Sequence, residues 1–205
     1  MERSAVTGDD GRLRCPWGDQ PAEYRRYHDH EWGRPVVEDG PIFEKLCLEG
    51  FQSGLSWLTI LRKREGFRLA FAGFDIATVA GFDEADVARL LNDAAIVRHR
   101  GKIEAAVANA KAALKLQSEG GSLAALVWRH EPVTKPAAQT MGEVPPFTPE
   151  SVALSKELRR RGFRFVGPTT AYAAMQALGV VDDHAQECYV RAAVEGERAA
   201  LIRPV

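Results

Sequence analysis

Apolar residues recur every three or four positions along most of the chain, which is the spacing of one face of an α-helix. In the segment 39–54, Phe43, Leu46 and Cys47 share such a face, and Asp39 stands where a helix N-cap is expected. The same spacing predicts helices over 83–93, 101–117, 148–162 and 168–179. No run of residues alternates between apolar and polar side chains as a half-buried strand does. The pattern therefore predicts an all-α fold.

Two stretches interrupt the helical pattern. Residues 130–149 hold five of the eleven prolines and are typical of a long loop or a connector between two lobes. The residues after Val190 are too polar to assign to an element, and we expect a disordered tail there. With 205 residues the chain is long enough to bury a substantial core. We therefore predict one domain over 1–205, built of two lobes.

Composition and charge narrow the class of protein. No apolar run approaches the roughly 20 residues of a membrane helix, and the first residues lack a signal-peptide core, so we expect a cytoplasmic protein with no membrane partner. Lys and Arg total 27 against 28 acidic residues, a net charge of -1. Any DNA binding must therefore come from a local basic patch. Three cysteines in such a protein are more typical of metal ligands than of a disulfide framework.

A candidate metal site begins in the stretch VDDHAQECY, residues 181–189. If this stretch is helical, His184 and Cys188 lie one turn apart on the same face, within reach of one metal ion. Cys47 lies on an apolar helix face and is expected in the core. Cys15 lies in an irregular stretch and is followed by His28, with His30 as a competing ligand. A Cys2His2 set spread over so much of the chain is weak evidence by spacing alone, and unrelated polar residues are the alternative.

A candidate DNA-binding element lies in RRRGFRFVGPTTAYAAMQ, which is typical of a helix, a tight turn and a second helix. Gly162 ends the first helix, Gly167 permits close backbone approach, and Pro168 begins the second helix, whose first N–H groups can bind a phosphate. Basic residues surround the turn: Lys156, Arg159, Arg160, Arg161 and Arg164. The alternative is an ordinary αα-hairpin with a solvated basic face.

Four blocks follow one another along the chain: RCPWGDQPAEYRRYHDHEWGRP, LCLEGFQSGLSWLTILRKRE, IVRHRGKIEAAVANA and LSKELRRRGFRFVGPTTAYAAMQALGVVDDH. In sequence and in order they resemble the DNA-3-methyladenine glycosylase I family, and the resemblance covers about residues 12–188. It implies a helix-hairpin-helix DNA glycosylase-like fold, with the hairpin at about 149–178. It also implies a structural zinc that joins the N- and C-terminal segments. The zinc ligands of the family match Cys15, His28, His184 and Cys188.

The resemblance also implies a pocket for a flipped base. The residues themselves offer Glu49 as an acceptor, with Gln52 nearby and Trp57 as a stacking surface, although such aromatics are commonly core residues. In the family the base pocket is formed at Glu49, Trp57 and the tyrosines that match Tyr24 and Tyr27. Trp17 adds aromatic surface to the N-terminal block. We therefore expect Glu49 to be catalytic and Trp17, Tyr24, Tyr27, Gln52 and Trp57 to bind the base.

One residue departs from the family pattern. Asp182 stands where the wider helix-hairpin-helix glycosylases carry a catalytic aspartate and where this family usually has asparagine. It can stabilise the transition state electrostatically, or it can cap a helix that bears His184. For DNA contacts we expect a wedge residue in the gap left by the flipped base and phosphate contacts at the hairpin. These residues are Leu55, Arg160, Arg164, Gly167 and Thr169.

The implied function is base-excision repair, the hydrolysis of the N-glycosidic bond of 3-methyladenine in alkylated double-stranded DNA. The methylated base carries a positive charge and is already a good leaving group, so it needs no general acid. The second hairpin helix begins Pro168–Thr169, with no lysine for a covalent intermediate, so we expect a monofunctional enzyme without lyase activity. We also expect a monomer that releases free 3-methyladenine. The alternative is a helix-hairpin-helix DNA-binding protein without activity.

Overall fold

The computed structural model describes residues 5–133 and 141–205. These residues form ten α-helices and one two-stranded antiparallel ribbon, which confirms a mostly helical fold. Residues 134–140 of the predicted proline-rich loop lie outside the described residues. The elements are β1 (Val6–Thr7), β2 (Leu13–Arg14), α1 (Ala22–His30), α2 (Asp39–Gln52), α3 (Trp57–Ala70), α4 (Ile76–Ala80), α5 (Glu84–Leu91), α6 (Arg100–Ser118), α7 (Leu123–Trp128), α8 (Pro149–Arg160), α9 (Pro168–Ala177) and α10 (Arg191–Ala200).

Side-chain caps explain where several helices begin. The Asp83 carboxylate accepts hydrogen bonds from the first turn of α5 in a reciprocal capping box, and Thr148 caps α8 in the same way. Asp39, in contrast, does not cap α2, and this expectation is wrong. Its carboxylate accepts a hydrogen bond from the backbone N–H of Ala124 at 2.9 Å and so joins the start of α2 to the start of α7.

Two further expectations are corrected near the chain ends. The ribbon pairs Val6–Thr7 with Leu13–Arg14, and strands of two residues are too short to produce an alternating pattern. The segment after Val190 forms α10 rather than a disordered tail. Val194 is fully buried against the residues around Cys188, and Arg198 donates a hydrogen bond to Glu131 at 2.8 Å. One buried apolar side chain and one arginine that contacts a distant glutamate therefore help to dock a helix whose other residues are mostly alanine and charged side chains.

Helix α2 forms the centre of the molecule. It packs against α3, α6, α7 and α9, and it buries Phe43, Leu46, Cys47 and Phe51. Burial of a large apolar side chain contributes roughly 1.5–3 kcal/mol each, so this helix is firmly fixed. Its position in the core places Glu49, on the same helix, at the wall of an internal cavity. In the described part of the chain, no helix is both long and apolar enough to span a bilayer.

The turn 161–167 between α8 and α9 is held from two sides. Asn109 of α6, which is buried, accepts a hydrogen bond from the backbone N–H of Arg164 at 2.7 Å and donates one to the Arg164 carbonyl at 3.2 Å. The Ser155 hydroxyl donates to the Val166 carbonyl at 2.6 Å. These side chains satisfy backbone groups that have no partner in a helix. The turn is thus a fixed part of the fold.

Candidate functional site

A cavity of about 260 Å³ opens where α1, α2, α3 and α9 meet. Most of its wall is aromatic, with one carboxylate and two amide side chains. Such a volume and lining suit a single flat heteroaromatic ring. The lining residues are Trp17, Tyr24, Tyr27, Trp32, Glu49, Gln52, Trp57, Ala173 and Gln176. The structure therefore brings Glu49 and all five residues expected to bind the base into one cavity.

The aromatic rings pack edge to face around this cavity. Trp17 lies 5.8 Å from Tyr24 and 4.9 Å from Trp32, at interplanar angles of 88° and 83°. Tyr27 and Trp57 lie 5.4 Å apart at 45°. Such contacts are favourable beyond the area they bury, and they hold the rings in place before any ligand enters. The face of an aromatic ring also attracts a cation.

Glu49 supplies the negative charge of the cavity. Its side chain is 6% exposed, and the Nζ atom of Lys45, one helical turn earlier, lies 3.8 Å from its Oε1 atom. Burial raises the pKa of Glu49, and the Lys45 cation opposes that rise. Burial, with the Glu49 charge as the second cause, raises the pKa of Tyr27 well above its usual range. The Tyr27 hydroxyl therefore stays protonated.

Two other polar groups fix the walls of the cavity, and a third, the Trp57 indole nitrogen, is left without a partner. The Tyr24 hydroxyl accepts a hydrogen bond from the backbone N–H of Leu58 at 2.9 Å, which ties α1 to the start of α3. The Gln176 amide donates to Asp183 at 2.8 Å. The indole Nε1 of Trp57 is buried and has no hydrogen-bond partner among the described residues.

A second group of side chains gathers potential metal ligands from both ends of the chain. The donor atoms of Cys15, His28 and Cys188 all lie within 4.8 Å of one another, and all three residues are buried. The ring of His184 lies 5.1 Å from that of His28, and its Nε2 atom is buried without a hydrogen-bond partner among the described residues. The stretch around His184 and Cys188 is a series of turns, so the helical spacing assumed from the sequence is wrong.

Carboxylates orient both histidines in this group. The Nδ1 atom of His28 lies 2.8 Å from Asp29, which a buried Arg14 holds through hydrogen bonds of 2.9–3.2 Å. The Nδ1 atom of His184 lies 2.8 Å from Asp182. In both cases Nε2 is left for another partner, an arrangement common where histidine binds a metal. A thiolate is the metal-binding form of cysteine, and a hydrogen bond from Cys15 lowers the pKa of Cys188 to about 4.

Asp182 does not line the cavity in the described structure. Its carboxylate accepts hydrogen bonds from both the backbone N–H and the ring of His184. No helix follows it, so the expected capping role is replaced by a local turn that fixes His184.

The residues expected to contact DNA lie on the surface around α8, α9 and the loop before α3. Leu55 is 41% exposed, and Lys102 holds its loop by donating hydrogen bonds to the carbonyls of Phe51 and Ser53 at 2.9 and 2.5 Å. Gly167 precedes α9, and Arg164 and Thr169 are exposed. The structure thus presents an apolar side chain and a hairpin turn on accessible surface.

The arginines near the turn differ in their partners. Arg160 is paired with Glu157 through two hydrogen bonds of 2.7 and 2.9 Å. It lines a separate cleft with Arg129 and His130 rather than the turn itself. An ideal Cβ atom on Gly167 would lie 3.6 Å from the guanidinium of Arg159. Arg159 is therefore the cation placed at the hairpin glycine.

The chain is similar to known proteins in both sequence and structure. A family model described as methyladenine glycosylase matches residues 17–192. The chain belongs to this family. Over 179 residues it is 49% identical to DNA-3-methyladenine glycosylase 1 of Escherichia coli strain K12, a match that covers 85% of this chain and 95% of that protein.

Solved structures of methyladenine glycosylases share the fold. A crystal structure of 3-methyladenine DNA glycosylase I superposes with a TM-score of 0.83 at 46% identity, covering 86% of this chain and 98% of that one. A variant of 3-methyladenine DNA glycosylase I in complex with 3-methyladenine gives a TM-score of 0.82 at 34% identity, covering 87% of this chain and 97% of that one.

Three residues at this methyladenine glycosylase site, and Asn109 at the turn between α8 and α9, were not predicted from the sequence. Trp32 lies within the first sequence block, but its spacing from Tyr27 gives no sign that both reach one cavity. Lys45 and Glu49 are four residues apart, a spacing that does indicate an ion pair on one helix face. Gln176 and Asn109 gave no signal, because the groups they meet are far away in sequence.

Proposed function

We propose that this chain is a DNA glycosylase that hydrolyses the N-glycosidic bond of 3-methyladenine in alkylated DNA. The observation that carries the proposal is the buried carboxylate of Glu49 in a cavity lined by five aromatic residues. A cationic flat base is the ligand that such a cavity favours. Family membership and the relative solved with 3-methyladenine support the same substrate.

The chemistry requires little assistance from the protein. Water adds to the C1′ atom of the deoxyribose, the bond from C1′ to the base nitrogen breaks, and its electron pair neutralises the departing cationic base. The proton of the attacking water passes to solvent. Glu49 accepts a hydrogen bond from the exocyclic amine, while Trp57 and Tyr27 cover the ring. With Pro168–Thr169 at the start of α9, we expect no lysine-linked intermediate and no strand cleavage.

DNA is held by the α8–α9 hairpin acting as a helix-hairpin-helix element. The exposed N–H groups at the start of α9 and the guanidiniums of Arg159 and Arg164 provide phosphate contacts that carry no sequence information. The flipped nucleotide leaves a gap in the duplex, which the exposed Leu55 fills. Helix α6 holds both elements, because its Lys102 bonds to the loop of Leu55 and its Asn109 bonds to the hairpin turn.

The four ligands at the chain ends hold a structural zinc. Two cysteine sulfurs and two histidine Nε2 atoms are a donor set that zinc prefers, and the buried, unpartnered Nε2 of His184 fits a metal bond. When bound, zinc would cross-link the two ends of the fold, and it has no redox chemistry. Asp182 and Asp29 orient the two imidazoles, so we assign Asp182 to this site rather than to catalysis.

The test is the identity of the released base. The protein is incubated with dimethyl sulfate-treated duplex DNA, and the soluble bases are identified by mass spectrometry. We expect 3-methyladenine above the level of spontaneous release, with no strand breaks. Tight duplex binding without any released base would instead show a non-catalytic DNA-binding protein. For such an enzyme we expect a monomer in the cytoplasm.

A further inference from the structure

Lys45 is a buried cation directly behind the wall of the base cavity. Its side chain is 13% exposed, and its Nζ atom lies 3.8 Å from Glu49 Oε1. The same atom donates a hydrogen bond to the Tyr27 hydroxyl at 2.8 Å and lies 4.0 Å from the centre of the Trp57 ring. One ammonium group therefore contacts three of the residues that line the cavity.

The charges around Lys45 leave it as the cation available to Glu49. On the neighbouring elements, Arg64 pairs with Glu31 through two hydrogen bonds, and Arg68 pairs with Glu44 at 2.9 Å. The other titratable groups that face this region are the Tyr24 and Tyr27 hydroxyls. Among the described residues, Lys45 is the cation that lies within 4.0 Å of the Glu49 carboxylate. The state of Glu49 thus depends on Lys45.

We propose that Lys45 is a positioning residue for the base pocket: its ammonium group keeps the Glu49 carboxylate charged and facing the base, and its hydrogen bond to Tyr27 fixes the adjacent aromatic wall. This role rests on the proposed function of the cavity. A protonated Glu49 has one oxygen fewer to accept a hydrogen bond and no charge to match a cationic base. Lys45 itself touches the walls and not the base.

Burial shifts the pKa values of Glu49 and Lys45 in opposite directions, and these shifts set how the activity depends on pH. Burial raises the pKa of Glu49, and a cation within about 4–6 Å lowers a carboxylate pKa by about 1–3 units. Without Lys45, Glu49 takes up its proton at a higher pH, so activity is lost earlier as the pH falls. Burial lowers the pKa of Lys45 to about 8. Above that pH, wild type and a neutral variant carry the same charges at this site, so the part of their difference that depends on pH disappears.

The kinetic test compares wild type with Lys45→Met and Lys45→Arg. Single-turnover release of 3-methyladenine from alkylated duplex DNA is measured from pH 5 to 9, with spontaneous release subtracted. We expect the acid limb of Lys45→Met to move up by at least one pH unit, and above pH 8 we expect only a constant loss of rate from the missing hydrogen bond to Tyr27. Lys45→Arg should keep the wild-type limb. A rate lowered equally at every pH, with an unchanged limb, would overturn the proposal.

A second measurement needs neither activity nor a variant at Lys45. The carboxyl carbon of Glu49 is followed by NMR through a pH titration of the wild-type protein, with Glu49→Gln assigning the signal. We expect a second inflection near pH 8, where Lys45 loses its proton, and its absence would contradict the ion pair. If the protein released no base, the proposed function would fail while this titration still decided the role of Lys45.

Discussion

Glu49 combines two properties that rarely occur together in one side chain. It is almost fully buried, yet its carboxylate faces a cavity in which the remaining polar wall is made of amides and tyrosines. A charged acceptor in such surroundings forms stronger hydrogen bonds than it does in water. A ligand that is both cationic and a hydrogen-bond donor gains from both properties, whereas a neutral base gains from one.

We predict that Glu49→Ala lowers release of 3-methyladenine by about 10- to 100-fold, because a hydrogen bond to a charged group contributes about 1.5–3 kcal/mol. Single-turnover kinetics on alkylated DNA measure the change. Glu44→Ala, on the same helix but outside the cavity, is the matched control and should release base at the wild-type rate. Equal rates for Glu49→Ala and wild type would place base recognition elsewhere.

Individual residues could be predicted where side chains of suitable chemistry lie close together in the sequence. Glu49 and Trp57 share one short block, and Tyr24 and Tyr27 share one helix face, so their spacing carries the information. Asn109 and Gln176 could not be predicted, because each acts through a backbone or side-chain partner brought close only by packing. The role of Asp182 was uncertain for the same reason, since only the fold shows that its carboxylate bonds to His184.

At the scale of elements, the α8–α9 hairpin holds its backbone N–H groups in fixed positions. Capping signals and glycines predicted both helices within two residues, because these signals are local. The α10 helix was missed because one buried valine fixes it, which a pattern based on periodicity cannot detect. The ribbon was missed because its strands have two residues each.

We predict that Arg159→Ala and Arg164→Ala each weaken binding to alkylated and unmodified duplexes by similar factors, because we propose that both side chains contact phosphates. The slope of log K against log salt should become shallower by about 0.9 for each contact removed. Fluorescence anisotropy at several salt concentrations measures both effects. Arg89→Ala, an exposed arginine on α5, is the charge-matched control. A loss confined to alkylated DNA would contradict the phosphate role.

Asn109 gives a separate prediction for the same element. In Asn109→Ala the backbone N–H and carbonyl of Arg164 lose their hydrogen bonds, which contribute about 0.5–1.5 kcal/mol each at such a partly buried turn. We expect a lower free energy of unfolding and weaker binding to any duplex, with metal content unchanged. Denaturant titration and anisotropy measure the two effects. Asn92→Ala, which removes an exposed amide bonded within its own helix, should leave both near wild type.

At the scale of the whole molecule, the ligand cluster joins segments that the sequence separates widely. The backbone N–H of Ala185 donates to the Cys15 sulfur across 170 residues, and that of Tyr189 donates to the Leu13 carbonyl at 2.9 Å. Spacing alone could not have predicted this, since the second half of the set matches zinc-ligand spacing but the first half does not match a zinc finger, and the two halves are far apart. The family resemblance supplied the grouping, and the structure brings Cys15, His28 and Cys188 together.

We predict one zinc per chain, lost in Cys15→Ala and His184→Ala together with several kcal/mol of stability, or roughly 10 °C in Tm. Metal analysis of freshly purified protein and thermal unfolding with and without a chelator measure this. Cys47→Ala is the matched control, because Cys47 is buried in the main core away from the zinc ligands. This variant should keep its zinc. Well under one equivalent of zinc in the wild-type protein would contradict the prediction.

The proximity of Cys15 to Cys188 also means that this cluster can form only late in protein synthesis. At roughly 5–20 residues per second, the ribosome needs on the order of ten seconds or more to extend the chain across the 170 residues between Cys15 and its late partners. During that interval the Cys15 thiol and His28 have no C-terminal partners. The helices between the N-terminal and C-terminal segments can already pack. The nascent chain therefore carries an exposed thiol next to a nearly finished domain. Oxidation of Cys15 to the sulfinic or sulfonic acid in that window would prevent the cluster from closing, because these products are not reduced back to the thiol.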